Sequence, residues 1–260
     1  PIHQFAKKIN KPIRLPESLN SVEEFNFIKK LNPNIVVVVA YGQIIPKKIL
    51  DLTGITFINI HASILPKWRG AAPIQRAIMN GDKETGISVM KIINKLDAGP
   101  IMKIVKLKIT PECNFETLSK KMSLIASSTI LDVLTILQKK GEIYLPQDDS
   151  KATYAKKIDK KESKISWDND AEKIIAKINA LYSNPGSWFE LNGSRIKILK
   201  AKLIKKKGKP GEILDDKFTI ACKKDSVRII ELQKEGKKSV IATNFLLGNK
   251  LTVGEIISVS

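Results

Sequence analysis

Three polar residues in the first half of the chain, Asn59, His61 and Asp97, have types and positions that could catalyse a group transfer. Asn59 and His61 stand at the end of the apolar run ITFINI and are two residues apart, so both side chains of a strand would point to one side. Asp97 lies in NKLDAGP, a loop bounded by Gly and Pro after the next apolar run, GISVMKI. If the two strands end close together, the Asp97 carboxylate can reach the His61 imidazole.

Such a trio would suit an acyl-type transfer, because an amide and an imidazolium can stabilise a developing oxyanion while a carboxylate orients the histidine and takes up protons. The residues alone leave simpler alternatives open. A single histidine at a strand end often serves only as a hydrogen-bond partner in a loop, and the Asp97 loop could be an ordinary turn. No metal site is expected, since the chain has two histidines, and Cys113 and Cys222 match no metal or redox spacing.

The elements that must position these residues read as an α/β sheet. The β-branched run at 34–41 and the run at 55–60 are typical of buried strands, and short helical segments at 46–52 and 73–80 follow them. Ser21 can cap a helix that extends to Leu31, and the alternating run IMKIVKLKI is typical of an outer strand. Alternation of strands and helices predicts an open, largely parallel sheet, with ligands at the carboxyl ends of its strands.

The second half of the chain differs in pattern. Asn114 should cap a long helix through about residue 140, which Gly141 ends, and the polar segment 144–165 reads as a linker. A helix with one apolar stripe follows, and then short strands, including a hairpin around Asn192-Gly193. The apolar parity of RIKILKAKLI changes midway, which predicts a β-bulge near 199–200. Together these short strands suggest a small barrel.

Charge favours an anionic partner. The net charge is +19, and the part after Thr153 carries +10 of it against +9 for the longer part before. Such a field is typical of nucleic-acid binding, although a lysine-rich composition also follows from an AT-rich genome.

No apolar run approaches the ~20 residues of a membrane span, and the sparse cysteines predict a reducing cytoplasm. Seven lysines crowd one segment and could meet RNA phosphates or simply form a solvated edge: Lys197, Lys200, Lys202, Lys205, Lys206, Lys207 and Lys209.

Longer stretches add a resemblance. AYGQIIPKKIL, INIHASILPKWRGAAPIQRAIMNGDKETGISVMKIINKLDAGPI, ATYAKKIDKKESKISW, LYSNPGSWFE and ELQKEGKKSVIATNFLLGNK together resemble the folate-dependent formyltransferases, above all those that act on methionyl-tRNA. The resemblance implies that Asn59, His61 and Asp97 are the catalytic residues. It also implies a folate-contacting loop, in which an isoleucine replaces the usual first leucine; its residues are Ser63, Ile64, Leu65 and Pro66. Ser63 could instead be only a turn former.

The resemblance further implies a Rossmann-type formyltransferase domain at 1–143, a linker at 144–165 and, at 166–260, a β-barrel of the oligonucleotide-binding type that contacts tRNA. The implied reaction transfers a formyl group from 10-formyltetrahydrofolate to the amino group of initiator methionyl-tRNA, in a cytoplasmic and monomeric enzyme without a metal. The amine would attack the formyl carbon while Asn59 and protonated His61 hold the oxyanion.

Two other functions remain open at this stage. The family begins with a strand–helix–strand unit that is not found here, and the chain starts at Pro1, so we expect that the natural N-terminal segment is missing. An inactive RNA-binding fragment is therefore one alternative. The other is a folate-dependent formyltransferase that acts on a sugar nucleotide or another amine, which would have no need of a basic C-terminal domain.

Overall fold

A computed structural model describes residues 2–257, and its strands form a four-stranded sheet, a six-stranded sheet and a separate two-stranded sheet, with helices packed against the two larger ones. In chain order the elements are α1 (Ile2–Lys8), α2 (Val22–Leu31), β1 (Ile35–Val39), α3 (Lys47–Leu50), β2 (Thr56–His61), β3 (Arg69–Gly70), α4 (Pro73–Met79), β4 (Glu84–Lys91), β5 (Ile101–Lys108), α5 (Phe115–Lys140), β6 (Tyr154–Ala155), α6 (Ala171–Ala180), β7 (Ser187–Leu191), β8 (Ser194–Ile204), β9 (Ile213–Asp215), β10 (Thr219–Ala221), β11 (Ser226–Lys234), β12 (Ser239–Ile241) and α7 (Ala242–Gly248). The predicted α/β class is confirmed.

The N-terminal sheet has the strand order β1-β2-β4-β5, and the prediction that it is largely parallel is wrong. Only β1 and β2 run parallel, whereas β4 is antiparallel to β2 and to β5. The difference lies in the connection from β2 to β4. Residues 62–83 return the chain to the end of the sheet where β2 stops, so β4 starts there and Ser88 lies opposite His61.

Strand β1 lies at the edge of the N-terminal sheet and pairs only with β2 among the described residues. Its valine-rich sequence predicts burial on both faces, yet Val37 and Val39 are 40% and 50% exposed. That prediction is wrong for one face of the strand, where Ile35 packs with the cluster beneath α5 but Val37 and Val39 extend past it. Strand β5 occupies the opposite edge, as its alternating sequence predicts.

Helix α5 covers one face of the N-terminal sheet. Asn114 caps it by accepting from the backbone N–H of Thr117, and the helix ends at Gly141, as predicted. Its buried stripe of Leu118, Met122 and Val133 packs on β4 and β5. By length and composition α5 could also span a membrane. One side of α5 packs on the sheet, whereas Leu124 and Leu131 on its other side are each 65% exposed.

The C-terminal sheet has the order β7-β8-β11-β10-β9, with β12 paired to β11, and all its pairs are antiparallel. In residues 2–257 no pairing joins β7 to β9, so the predicted barrel is not closed. Helices α6 and α7 cover one face, and edge-on or stacked aromatic rings fill the core between them: Trp167, Phe189, Phe218 and Phe245.

Two local predictions for the C-terminal sheet are confirmed. Asn192 and Gly193 turn the β7–β8 hairpin with φ of 49° and 70°, the left-handed values that this pair favours. Pairing of β8 with β11 shifts around Lys200, where the sequence predicts a bulge. On both sides of this bulge the core-facing residues of β8 point inward, Ile196 and Ile198 before it and Ala201 after it.

Candidate active site

Asn59 and His61 lie near the carboxyl end of strand β2, on the face of the sheet opposite α5. Ile58 and Ile60 point the other way into the core beneath α5, as the two-residue period of a strand requires. His61 is buried, with 5% of its surface exposed, whereas Asn59 is partly exposed. The Asn59 amide has no side-chain hydrogen bond within residues 2–257 and can therefore donate to a substrate.

Both ring nitrogens of His61 face oxygen atoms. Nε2 lies 2.8 Å from the Trp68 carbonyl oxygen, and since a carbonyl only accepts, Nε2 carries a proton. Nδ1 lies 3.6 Å from Oδ2 of Asp97, which is ion-pair distance but too long for a hydrogen bond. The imidazolium is the form that can donate to both sides. The structure thus brings the predicted His–Asp pair together.

Asp97 reaches His61 by a different path from the one that the sequence predicts. Because β4 is antiparallel to β2, it ends beside Ile58 and leads away from His61. The loop 92–100 then folds back over the sheet, and Asp97 adopts a left-handed backbone with φ of 45°. Its Oδ2 accepts a 2.8 Å hydrogen bond from the Gly70 N–H. A non-glycine residue held in this conformation is a common mark of a functional site.

Gly99 allows that return path. A Cβ at this position would lie 1.8 Å from the Lys91 carbonyl oxygen, so any other residue would push the loop off β4. The Lys91 N–H donates to the Pro100 carbonyl in the same tight crossing. The close approach of loop and strand therefore depends on a residue without a side chain.

The four predicted folate-loop residues follow β2 directly, but two of them face the core. Ser63 is fully buried and donates from Oγ to the Lys67 carbonyl at 2.5 Å, the contact expected of a turn former. Leu65 is 3% exposed and packs with Met90. Ile64 and Pro66 are partly exposed and are the members whose side chains can meet a ligand.

Ser88 of β4 holds this turn from below and was not predicted. Its hydroxyl, completely buried, donates to the Ser63 carbonyl at 2.8 Å and accepts from the Leu65 N–H at 3.0 Å. Ser88 lies directly opposite His61 in the β2–β4 pairing, so it ties the loop to the strand position that carries the histidine. The sequence signal that could have identified Ser88 is a serine inside the apolar run GISVMKI.

Two further polar residues join the site from outside the predicted set. Arg69 is 1% exposed and donates through Nε and Nη2 to Gln147 Oε1, at 3.1 and 2.8 Å. Gln147 in turn donates to the carbonyl oxygens of Asp97 and Gly99, at 2.9 and 2.7 Å. No periodicity or motif in the segment around Gln147 indicates this contact, which depends entirely on the fold.

Asp149 adds the main electrostatic feature near the loop. It pairs with Lys95 of the loop and accepts from Arg69 Nη2 at 2.7 Å, and these two cations lower the pKa of its carboxyl, Lys95 more than Arg69. Across residues 2–257 no group of three or more His, Cys, Asp or Glu side chains could hold a metal ion. Two surface cavities of about 500 and 330 Å³ lie elsewhere, at the start of α5 and at the β7–β8 hairpin.

The seven predicted tRNA-contacting lysines lie on β8 and in the exposed loop after it. Lys200 and Lys202 extend from the outer face of β8, and the bulge brings Lys197 to that same face. Lys206, however, pairs with Asp215 at 3.0 Å, so part of its charge is neutralised within the protein. The remaining members, Lys205, Lys207 and Lys209, are exposed in the loop.

Three further residues that the sequence analysis does not name lie on this outer face. Trp188 is partly exposed and lies opposite Lys197 in the β7–β8 pairing. The Arg195 guanidinium stacks over its ring at 4.3 Å from the centroid. Arg228 of β11 lies opposite Lys202 and, like Lys206, pairs with Asp215 at 3.0 Å. Alternation along both strands, once the bulge is placed, would have found the two arginines.

Comparison with known proteins identifies the family. The formyl transferase family model matches residues 3–134, and the model of its C-terminal domain matches residues 157–250. Methionyl-tRNA formyltransferase of Pelagibacter ubique is 47% identical over 260 residues, which are 99% of this chain and 84% of that protein. The chain belongs to the methionyl-tRNA formyltransferase family. It is therefore a formyltransferase.

Solved structures agree with this family assignment. Methionyl-tRNA formyltransferase from Clostridium thermocellum superposes with a TM-score of 0.59 at 26% identity, over 77% of this chain and 86% of that one. HypX from Aquifex aeolicus, in complex with tetrahydrofolic acid, superposes with a TM-score of 0.66 at 18% identity, over 85% of this chain and 40% of that one. The second likeness shows the fold alone.

Proposed function

We propose that this protein transfers the formyl group of 10-formyltetrahydrofolate to the α-amino group of methionine on initiator tRNA, in the cytoplasm and as a monomer. The observation that carries the proposal is the 47% identity with a methionyl-tRNA formyltransferase over nearly the whole chain. The approach of His61 to Asp97, beside an Asn59 amide that has no hydrogen-bond partner among the described residues, is the arrangement that such a transfer needs.

In the proposed mechanism the methionyl amine attacks the formyl carbon and the carbonyl oxygen becomes an oxyanion. When this tetrahedral intermediate collapses, the bond from the formyl carbon to N10 of the folate breaks, and tetrahydrofolate leaves as N10 gains one proton and the amine loses one. The Asn59 amide donates to that oxygen, and the His61 imidazolium supplies the second donor. Nε2 of His61 donates to the Trp68 carbonyl in the free protein, so a hydrogen bond from this N–H to the formyl oxygen exchanges one oxygen acceptor for another. The Asp97 carboxylate, fixed by the Gly70 N–H, keeps the positive ring in place and assists removal of the amine proton.

For the folate we propose the turn that runs from Ser63 to Pro66. Its partly exposed members, Ile64 and Pro66, would contact the ring system, while buried Ser63 and Leu65 hold the turn in shape. HypX, which shares the fold, binds tetrahydrofolic acid, and this supports folate as the formyl donor. No metal is needed in this scheme, because the two donors act on the oxyanion directly.

For the tRNA we propose the outer face of the C-terminal sheet, used as an oligonucleotide-binding surface, with residues 1–143 as the catalytic domain and 144–165 as the connection. The bulge in β8 places cations from both halves of the strand on one face, so that they form a continuous row: Arg195, Lys197, Lys200 and Lys202. Same-face residues of a strand are ~7 Å apart, close to the spacing of successive phosphates, and Trp188 adds an aromatic surface for a base.

The test is a formyl-transfer assay with purified protein and 10-formyltetrahydrofolate labelled in the formyl group. Initiator methionyl-tRNA, free methionine and an amino-sugar nucleotide are offered as acceptors in parallel. We expect label only in the tRNA, and we expect Asn59→Ala to abolish it with tRNA binding retained. Label in the sugar nucleotide instead would favour the other formyltransferase class, and RNA binding without any transfer would favour an inactive RNA-binding chain.

A further inference from the structure

The loop that carries Asp97 has contacts that its catalytic role does not explain. Residues 92–100 leave the sheet at the end of β4 and fold back toward His61 through a turn in which the Ala98 N–H donates to the Lys95 carbonyl at 3.2 Å. Gln147 Nε2 donates to two carbonyls of this loop, those of Asp97 at 2.9 Å and Gly99 at 2.7 Å. Lys95, at the start of the same loop, pairs with Asp149. Three points of the loop are thus tied to one short segment, 147–149.

Arg69 fixes that segment in turn. Its guanidinium is almost completely buried and donates twice to Gln147 Oε1 and once to Asp149 Oδ1. A buried cation is costly unless it is hydrogen-bonded, so the three bonds from Nε and Nη2 favour keeping Gln147 and Asp149 where they lie; Nη1 is buried without a partner among the described residues. The neighbours of Arg69 contact the catalytic pair directly: Trp68 accepts from His61, and Gly70 donates to Asp97.

We propose that Arg69 and Gln147 are positioning residues for formyl transfer, which set the distance between the Asp97 carboxylate and the His61 ring. One short stretch of chain, 68–70, then holds the histidine, the aspartate and, through its arginine, the loop that bears the aspartate. The segment that joins the two halves of the chain is accordingly part of the catalytic apparatus. This inference rests on the proposed function for its kinetic test and on geometry alone for its spectroscopic one.

The change Gln147→Glu keeps the contact of residue 147 with Arg69 but removes its hydrogen bonds to the loop that carries Asp97. The carboxylate still accepts from Arg69, so the buried cation stays paired, but it cannot donate to the loop carbonyls and repels them. Because a misplacement of about 1 Å in a catalytic group can cost ~10²-fold in rate, we expect kcat to fall roughly 10²-fold with KM for tRNA unchanged. Asp148→Asn is the matched control, since Asp148 contacts only its own turn and Lys151. It should retain full activity.

A purely structural role is distinguished by combining changes. If Gln147 acts only through Asp97, adding Gln147→Glu to Asp97→Ala should lower kcat less than twofold further, because the group it positions is already gone. A general loss of structure would instead multiply the two effects. Multiplicative losses in the double variant would overturn the proposal.

The spectroscopic test does not depend on activity or on the acceptor. The chain has two histidines, His3 and His61, so ring signals of protein labelled with ¹⁵N-histidine can be assigned with His3→Gln. We expect the His61 ring signals to move in Gln147→Glu and to stay in place in Asp148→Asn. Lys95→Met, at an exposed side chain, should move them less. If the His61 signals move in neither the Gln147 nor the Lys95 variant, the positioning role is refuted even where formyl transfer itself is confirmed.

Discussion

Replacing Gly99 by alanine should disable catalysis by moving one loop. The added Cβ would lie 1.8 Å from the Lys91 carbonyl oxygen, whereas real Cβ atoms almost never come within 3.0 Å of a neighbour. The loop must therefore move by about 1.2 Å or more, and Asp97 moves with it. Since the Asp97 carboxylate already lies 3.6 Å from His61 Nδ1, beyond hydrogen-bond distance, this shift weakens an interaction that depends on proximity.

The expected size follows from that displacement. Misplacing a catalytic group by ~1 Å costs about 10²-fold in rate, and forcing an extra methyl into a tight contact costs roughly 1–3 kcal/mol of stability. Single-turnover formylation of methionyl-tRNA should thus slow about 10²-fold in Gly99→Ala, with tRNA affinity unchanged and a moderately lower melting temperature.

Gly248→Ala is the matched control for this prediction. Nothing lies within 4 Å of a Cβ at Gly248, at the end of α7, and its backbone φ is not in the left-handed region. We expect a normal rate and at most a small gain in stability, because alanine restricts the unfolded chain. A Gly99→Ala protein that formylates at the wild-type rate would refute the argument that loop geometry places Asp97.

Three other outcomes are expected. Hydrogen bonds from the Arg76 guanidinium, and to a lesser degree from a backbone N–H, lower the pKa of Glu162 to about 2. The stability that this carboxylate adds should therefore be present above pH 4.5 and be lost as the pH falls toward 2. The difference in unfolding free energy between wild type and Glu162→Gln, measured by urea titration, should vanish over that range. Pro66→Gly should weaken folate binding, measured by calorimetry, because the turn must then be ordered at greater entropic cost; equal affinity would place the folate elsewhere. Lys200→Gln with Lys202→Gln should flatten the salt dependence of tRNA binding, and Lys206→Gln should change it less, since that lysine is already ion-paired; equal effects would argue against the β8 face.

Local features of this fold could be predicted from the sequence, and the direction of its strands could not. Capping residues fix where α5 begins and ends, and the Asn192-Gly193 pair fixes a hairpin, because each depends on neighbours in the chain. Alternating strands and helices suggested a parallel sheet. The chain between β2 and β4 instead returns to the end of the sheet where β2 stops, and this path depends on packing in three dimensions.

The candidate site shows the same division. The two-residue period placed Asn59 and His61 on one face. Asp97 was correctly brought to His61 on an incorrect premise, since β4 leads away and the loop returns. Gln147 carries no sequence signal, because its three partners lie 48 to 78 residues away along the chain. Likewise, the sequence could not show that Lys206 forms an ion pair with Asp215. Burial alone would raise the pKa of the Asp215 carboxyl, but hydrogen bonds from Thr219 and Lys206 hold this pKa well below its usual range.

The most direct test of the central claim, that His61 and Asp97 act as one catalytic unit beside Asn59, is single-turnover formylation by His61→Ala, Asp97→Asn and the double variant. We expect each single change to slow transfer by about 10²–10³-fold with tRNA binding retained, and the double variant to be scarcely slower than either, because residues that act as a unit are not additive. A near-normal rate for Asp97→Asn, or a double variant whose loss is the product of the two single losses, would contradict the account.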